Sequence, residues 1–350
     1  MSLRVGVVGA GRMGKLHCRV LSEMPEAELA CVVDVDRATA EAVAARHRAA
    51  ALTRPAEAVD RVDAAIIAVP TTAHVDAARP FVDAGKPVLI EKPIAPTAAE
   101  AETLLAAADD RGVGVQVGHT ERFNPAVQAI RRFDIQPKFI EAHRISPFTF
   151  RSADIGVVLD MMIHDIDLVL MMAGAEPVSV LAVGVNVVGA PEDLANARLA
   201  FPNGCVANLT ASRLAIKNER KMRIFSEQAY LSVDYAKRVG VAVKKSENLD
   251  LIDLARQMDA RDLAEFALGA DYTKLVKFEE LKVARTVEPL RNQAEAFCRC
   301  VREGAPPVVS GRDGLAAVRC AEAITESIKA HKWDGEASDR HGLDILRKDE

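Results

Sequence analysis

Paired cysteines, internal repeats and an excess of positive charge are all missing from this 350-residue chain, and each absence removes a class of function. The six cysteines, Cys18, Cys31, Cys205, Cys298, Cys300 and Cys320, show no CxxC spacing. Neither a zinc ribbon nor a secreted disulfide framework fits them, so no metal site and buried reduced thiols are expected. The N-terminal MSLRVGVVGAGRMG is apolar but short, broken by glycine and without a charged region ahead of a signal-type run. No membrane span and no export signal follow from it, and a cytoplasmic protein is expected. A formal net charge of −5 gives no general attraction to nucleic acid or to anionic membranes, while a local basic pocket for a phosphate is still allowed. Hydrophobic residues at 49% and charged residues at 27% are ordinary globular usage and argue against wholesale disorder. A chain of this length exceeds the size at which one hydrophobic core usually keeps growing, so two domains are expected.

What is present divides near residue 121. Up to there, the short runs LRVGVVG, ELACVVD, DAAIIAVP, KPVLIEKP and GVGVQVG alternate with amphipathic stretches. That rhythm predicts βαβ units in a doubly wound parallel α/β sheet, with IIAV and VLI apolar enough to be buried on both faces. Thr97 and Glu100, after Pro96, form a T-x-x-E signature that opens one of the helices. From 122 to 335 the pattern reads as α+β: a helix over 156–173, then strands over 138–148, 178–188, 195–201, 205–213, 221–226 and 229–235. Pro202, Asn203 and Gly204 predict a hairpin turn between two of them. The stretch 236–285 is charge-rich and reads as irregular, 289–302 and 312–331 as helices able to pack back on the first domain, and 336–350 as a tail. An open sheet of about six strands would expose a large apolar face, which predicts a homodimer or homotetramer.

Directly after the first run stands Gly9-Ala10-Gly11-Arg12-Met13-Gly14, followed by a helical pattern. This is the context a G-x-G-x-x-G dinucleotide fingerprint requires. Gly9 allows the tight turn, Gly11 the close approach of a pyrophosphate and Gly14 the contact of helix with sheet, while the helix N-terminus faces the phosphates. Asp34, twenty residues beyond Gly14, can accept hydrogen bonds from both adenosine ribose hydroxyls, which favours NAD over NADP. Arg37 leaves NADP open, because it could turn toward a 2′-phosphate.

Two further motifs carry proton chemistry. Glu91-Lys92-Pro93 follows the apolar run KPVLI, at the carboxyl edge where open α/β sheets bind ligands, so the Lys92 ammonium could donate to a substrate hydroxyl. In Asp160-Met161-Met162-Ile163-His164-Asp165-Ile166-Asp167, a spacing of four puts Asp160 and His164 on one helix face, while Asp165 and Asp167 project elsewhere. An imidazole beside a carboxylate suits removal of a hydroxyl proton as hydride leaves.

Together these motifs resemble the Gfo/Idh/MocA oxidoreductases, which couple an N-terminal Rossmann domain to an open antiparallel sheet. The likeness runs over nearly the whole chain and rests on the glycine fingerprint, AVPTTAH at 68–74, EKP at 91–93 and D-x-x-x-H at 160–164. It implies that Lys92, Asp160 and His164 form the catalytic group with His164 as base, that Val69, Pro70, Thr71 and His74 lie beside the cofactor, and that Glu91 lies near the nicotinamide ribose. GHTERFNPA at 118–126, EAHRISPF at 141–148, LDMMIHDIDLVL at 159–170 and NGCVANLTASR at 203–213 resemble a narrower subgroup of sugar-nucleotide 3-dehydrogenases. Members of it oxidise the 3-hydroxyl of UDP-N-acetylglucosamine, after which an aminotransferase converts the ketone to an amine. On that resemblance Arg122, Asn124, Arg144 and Arg213 join Lys92 and His164 as substrate-binding candidates, since arginine suits bidentate phosphate recognition. Two alternatives stand beside it: a dehydrogenase of a free polyol or aldose from the same family, and a non-catalytic NAD-binding regulatory protein.

Overall fold

The structure is a computed structural model that describes residues 2–149, 155–188, 191–245, 258, 262, 276–284, 286–333 and 336–337. Its first half is the expected parallel sheet. Strands β1 (Leu3–Val8), β2 (Ala27–Val33), β3 (Ala50–Leu52), β4 (Ala64–Ile67), β5 (Val88–Glu91) and β6 (Val115–Gly118) lie in the order β3-β2-β1-β4-β5-β6. Five of the six coincide with the apolar runs; the sixth, β3, is a three-residue edge strand with no room for a periodic signal. The side chains of β4 and β5 are buried throughout, as strands covered on both faces require. Helices α1 (Arg12–Ser22), α2 (Arg37–His47), α3 (His74–Asp83) and α4 (Ala98–Arg111) make the crossovers. Thr97 caps α4, its hydroxyl accepting from the Glu100 amide at 3.2 Å. Strand order reverses between β1 and β4, which opens a crevice at their carboxyl ends.

The second sheet has eight strands rather than about six. They are β7 (Pro137–Ile145), β8 (Ser179–Val185), β9 (Leu194–Ala200), β10 (Val206–Ser212), β11 (Glu219–Ser226), β12 (Ala229–Asp234), β13 (Val239–Lys245) and β14 (Val276–Glu280), in the order β14-β13-β12-β11-β7-β10-β9-β8. The first six match the sequence reading to within a few residues, and Gly204 takes φ +81° in the hairpin between β9 and β10. Two corrections follow. Strands β13 and β14 fall inside the stretch read as irregular, most of whose remaining residues lie outside those described. The sheet is also mixed, because β7 and β10 pair in parallel. The strand that enters the domain first lies mid-sheet with later strands on both sides, and β10 reaches it by crossing over.

Ile140 and Ala142 of β7 and Leu209 of β10 face inward, onto α6 (Ile163–Ala173), and Met222 and Ile224 of β11 are buried beside Ala142 and Ile140. The last helices, α7 (Pro289–Glu303) and α8 (Gly311–Ala330), pack back on the first domain, with α8 also covering α6 and β8. The Ala98 amide at the start of α4 donates to Glu322 of α8 at 2.9 Å. All six cysteines are free and buried. Among the described residues no helix is long and apolar enough to cross a membrane, and no cluster of His, Cys, Asp and Glu could hold a metal. The tail expected over 336–350 is described only at 336–337. The outward sheet face is not uniformly apolar: Arg198 bonds Asn208 and Arg223 pairs with Glu141, but one row across five strands reads Phe139, Phe225, Tyr230, Val243, Phe278.

Candidate active site

The cradle at the head of α1 is built from glycine. Gly9 sits at φ +96°, and a Cβ there would run into the Ala68 carbonyl, while one on Gly14 would meet the carbonyl oxygen of Gly9. Gly11 has open space where its Cβ would be, which suits a phosphate approaching the backbone. Arg12 is exposed and Met13 half-buried at the start of the helix. Asp34, past the end of β2, accepts from the Ala10 amide at 2.7 Å and the Asp36 amide at 3.0 Å, so the carboxylate is fixed beside the glycine turn. Arg37 lies along α2 toward Glu41, 3.7 Å away. Val69 and Thr71 are half-buried and Pro70 is exposed in the loop after β4. Glycines, helix N-terminus and carboxylate together fit a dinucleotide.

His74 is buried between two carbonyl oxygens, Nδ1 at 2.8 Å from Pro93 and Nε2 at 3.0 Å from Val69. It therefore ties the loop after β4 to the loop after β5. Glu91 ends β5, and its Oε1 lies 2.7 Å from Nε2 of His17, a fully buried residue of α1. Burial pushes the Glu91 carboxyl up, but the His17 hydrogen bond and the charges of His17 and Lys92 outweigh it and hold it below the ordinary range. Sequence reasoning missed His17, whose one signal is a polar residue on the apolar face of α1.

Lys92 follows, joined to Pro93 by a cis peptide bond. Its Nζ donates to the Asp160 carbonyl oxygen at 2.6 Å and lies 3.6 Å from Asp160 Oδ1, while about a fifth of the side chain is open to solvent. Burial pulls the ammonium below its usual 10.5, against the nearby Asp160 and Glu91 carboxylates. Asp160 stands in a π-helical turn, Val158–Met162, before α6 begins. The sequence pattern predicts a plain α-helix with the Asp160 carboxylate supporting His164. The wider turn instead directs Asp160 to Lys92, and no described hydrogen bond joins it to His164. His164 Nδ1 is buried with no hydrogen-bond partner among the described residues. Burial first, then the charges of Lys92, Arg144, His119 and Arg220, hold its pKa well below 6.5. The ring is a neutral base at neutral pH. His119, buried nearby, also has no described partner at either ring nitrogen, and burial lowers its pKa.

The four polar candidates for substrate recognition fare differently. Arg122 is buried and forks onto Asp167 at 2.8 and 2.6 Å, with Asp313 at 3.2 Å. Arg213 bonds Asp193 at 2.6 Å and the Ile155 carbonyl at 2.7 Å. Asn124 caps the short helix α5 (Pro125–Ile130) through the Ala126 amide and donates to Glu121 at 2.9 Å. Arg144 does come beside the catalytic candidates, since its charge acts on both Lys92 and His164, but its donors go to Asp165 at 2.7 and 2.9 Å and to Glu121 at 3.1 Å. As expected, Asp165 and Asp167 point away from the Lys92 cleft, here into these arginines.

Both halves of the chain match known proteins. Residues 3–119 match the family model described as "Oxidoreductase family, NAD-binding Rossmann fold", and residues 127–232 match the GFO/IDH/MocA C-terminal domain. The chain is 41% identical over 234 residues to a UDP-N-acetylglucosamine 3-dehydrogenase of Acidithiobacillus ferrooxidans, covering 67% of this chain and 74% of that protein. A solved structure of that enzyme superposes with a TM-score of 0.83 at 32% identity, over 94% of this chain and 98% of the other. An inositol 2-dehydrogenase of Rhizobium meliloti is 30% identical across 94% of this chain and 97% of its own length.

Proposed function

Because this chain belongs to the GFO/IDH/MocA oxidoreductases, NAD(P)-dependent dehydrogenases of CH–OH groups, we propose that it oxidises a sugar hydroxyl with NAD, namely the 3-hydroxyl of a UDP-N-acetylhexosamine. The observation that carries this reading is the convergence of Lys92, Asp160 and a neutral His164 at the carboxyl edge of β5, in the same parallel sheet whose first strand leads into the glycine cradle. Support for the sugar nucleotide comes from the 41% identity to the UDP-sugar enzyme over 234 residues and from the TM-score of 0.83 to its structure over 94% of this chain.

Gly9, Gly11, Gly14 and the backbone of Arg12 and Met13 hold the pyrophosphate, Asp34 the adenosine ribose, and Val69, Pro70 and Thr71 flank the nicotinamide half. Bound there, the nicotinamide supplies the hydride acceptor. His164 takes the hydroxyl proton through Nε2, because Nδ1 is sealed in the interior. Lys92, with one donor on the Asp160 carbonyl, offers the others to the substrate oxygen and stabilises developing negative charge. Asp160 orients Lys92, Glu91 fixed by His17 sets the strand end before it, and burial, aided by the charges of Lys92 and Arg144, keeps the imidazole neutral. Arg122, Asn124, Arg213 and His74 are assigned to holding the walls of the site. The ketone formed is a substrate for an aminotransferase. Pairing of two or more copies across the row Phe139, Phe225, Tyr230, Phe278 would cover the apolar part of the open sheet face, which supports a homodimer or homotetramer.

The test is NADH formation with NAD and a panel of UDP-N-acetylglucosamine, its uronic acid, free N-acetylglucosamine, inositol and glucose. An aminotransferase is added to draw off ketone where oxidation is uphill. Turnover only with the UDP-sugars is expected, and turnover of inositol or glucose alone would overturn the choice of substrate.

A further inference from the structure

With Arg122, Arg144 and Arg213 engaged by carboxylates, a diphosphate needs other cations, and a cavity of about 460 Å³ supplies them. It lies between the first domain and the second sheet. Met13 and Leu16 of α1 line it on the first-domain side, Arg220, Tyr235 and Arg238 on the sheet side, and Glu121 also faces it. Arg220 alternates with Met222 and Ile224 and so belongs to the inward face of β11, yet half of its side chain is accessible. A charged, accessible group on an otherwise buried face is explained by the cavity it looks into. Its nearest carboxylate, Glu121, is 3.8 Å away and already bonded to Arg144 at 3.1 Å. Arg238, at φ +55° in the turn after β12, anchors one guanidinium nitrogen on the Val287 carbonyl at 3.1 Å. The Tyr235 phenol backs the sheet side, donating to the Met222 Sδ at 3.1 Å, with its pKa raised by burial and by Asp165 and Glu121. The cavity also adjoins the chemistry, because Arg220 is one of the charges that lower the His164 pKa and Met13 belongs to the glycine motif.

We propose that this cavity is the anion subsite of the substrate, in which Arg220 and Arg238 grip the diphosphate of a nucleoside-diphosphate sugar whose ring lies at Lys92 and His164. The proposal rests on the sugar-nucleotide reading above and names the residues that distinguish such a substrate from a free polyol. A diphosphate would replace the long Arg220–Glu121 contact with charge-assisted hydrogen bonds at shorter range. The remainder of the nucleotide then extends past α1 toward the start of α7, where Glu288 to Leu290 close the cavity.

The experiment is calorimetric binding of UDP to the full-length protein with NADH present, for wild type, Arg220→Gln, Arg238→Gln and the charge-keeping Arg220→Lys. UDP affinity is expected to fall at least tenfold in each glutamine variant and to recover partly in Arg220→Lys, with NADH affinity unchanged in all of them as the control for folding. Equal UDP affinity in wild type and both glutamine variants overturns the subsite while leaving the UDP-sugar reading intact. A wild type that binds no UDP and oxidises only a free polyol removes both.

Discussion

Two ion pairs anchored by the helical segment at 158–173 use the same chemistry for opposite ends. Arg122 and Asp167 meet in a tight fork with both side chains almost fully buried, at 6% and 0% exposure. Lys92 and Asp160 meet at 3.6 Å with 20% and 29% exposure. In the first pair both carboxylate oxygens are bonded at short range in a buried fork, which therefore holds the fold. The second is left with donors to spare, next to an imidazole whose inner nitrogen has no described partner. Incomplete satisfaction, more than residue type, separates groups that react from groups that support.

Substitutions on the two sides of this contrast should therefore separate cleanly. Lys92→Met is expected to lower kcat by about 10²–10⁴-fold, the usual worth of a positioned proton-transfer group, while NAD affinity measured by fluorescence titration stays near wild type. Wild-type turnover in that variant would remove Lys92 from the site. On the other side, Arg122→Ala leaves Asp167 buried and unpaired and is expected to cost about 3–5 kcal/mol of unfolding free energy in urea denaturation. A loss below about 1 kcal/mol would mean the fork is not what holds this wall.

Smaller effects sharpen the same contrast at the cofactor end. Asp34→Ala removes the carboxylate offered to the ribose and is expected to raise the KM for NAD roughly tenfold and narrow the preference over NADP, with little change in kcat. An unchanged KM for NAD would mean that Asp34 serves only the Ala10 and Asp36 amides. The smallest effect is on pH dependence. Burial holds His74, His119 and His164 below 6.5, so below that pH the unfolded chain binds protons that the folded chain does not, and stability declines. A second loss follows as pH falls through 4.5, where Glu91 and Glu121, both held low in the fold, give up their contribution. Urea midpoints that stay flat between pH 7.5 and about 5 would contradict the buried neutral histidines.

Legibility in the sequence followed locality. The glycine turn, Asp34, Thr97 and the hairpin at Gly204 are each specified by a few adjacent residues, and each appears where the sequence pattern predicts it. Misreadings arose where long-range pairing decides the outcome. The parallel pairing of β7 with β10 depends on sheet order, which no local period encodes. Arg122, Arg144 and Arg213 look free in sequence because their carboxylates stand 45, 21 and 20 residues away. The π-helical turn at Val158–Met162 breaks the assumption that a spacing of four keeps Asp160 under His164. Strand β14 was hidden by Lys277, Glu279 and Glu280, which are exposed at the edge of the sheet, and β13 by the charge-rich stretch in which it lies.

The most direct test of the contrast is His164→Ala, with kcat and unfolding free energy measured on the same preparation. Removing the ring deletes both the base and a buried nitrogen without a described partner. The expected result is therefore a kcat lower by two or more orders of magnitude, roughly, with stability unchanged or slightly increased. Retained turnover with lost stability would be the opposite pattern, and it would make His164 a packing residue and place the proton acceptor elsewhere.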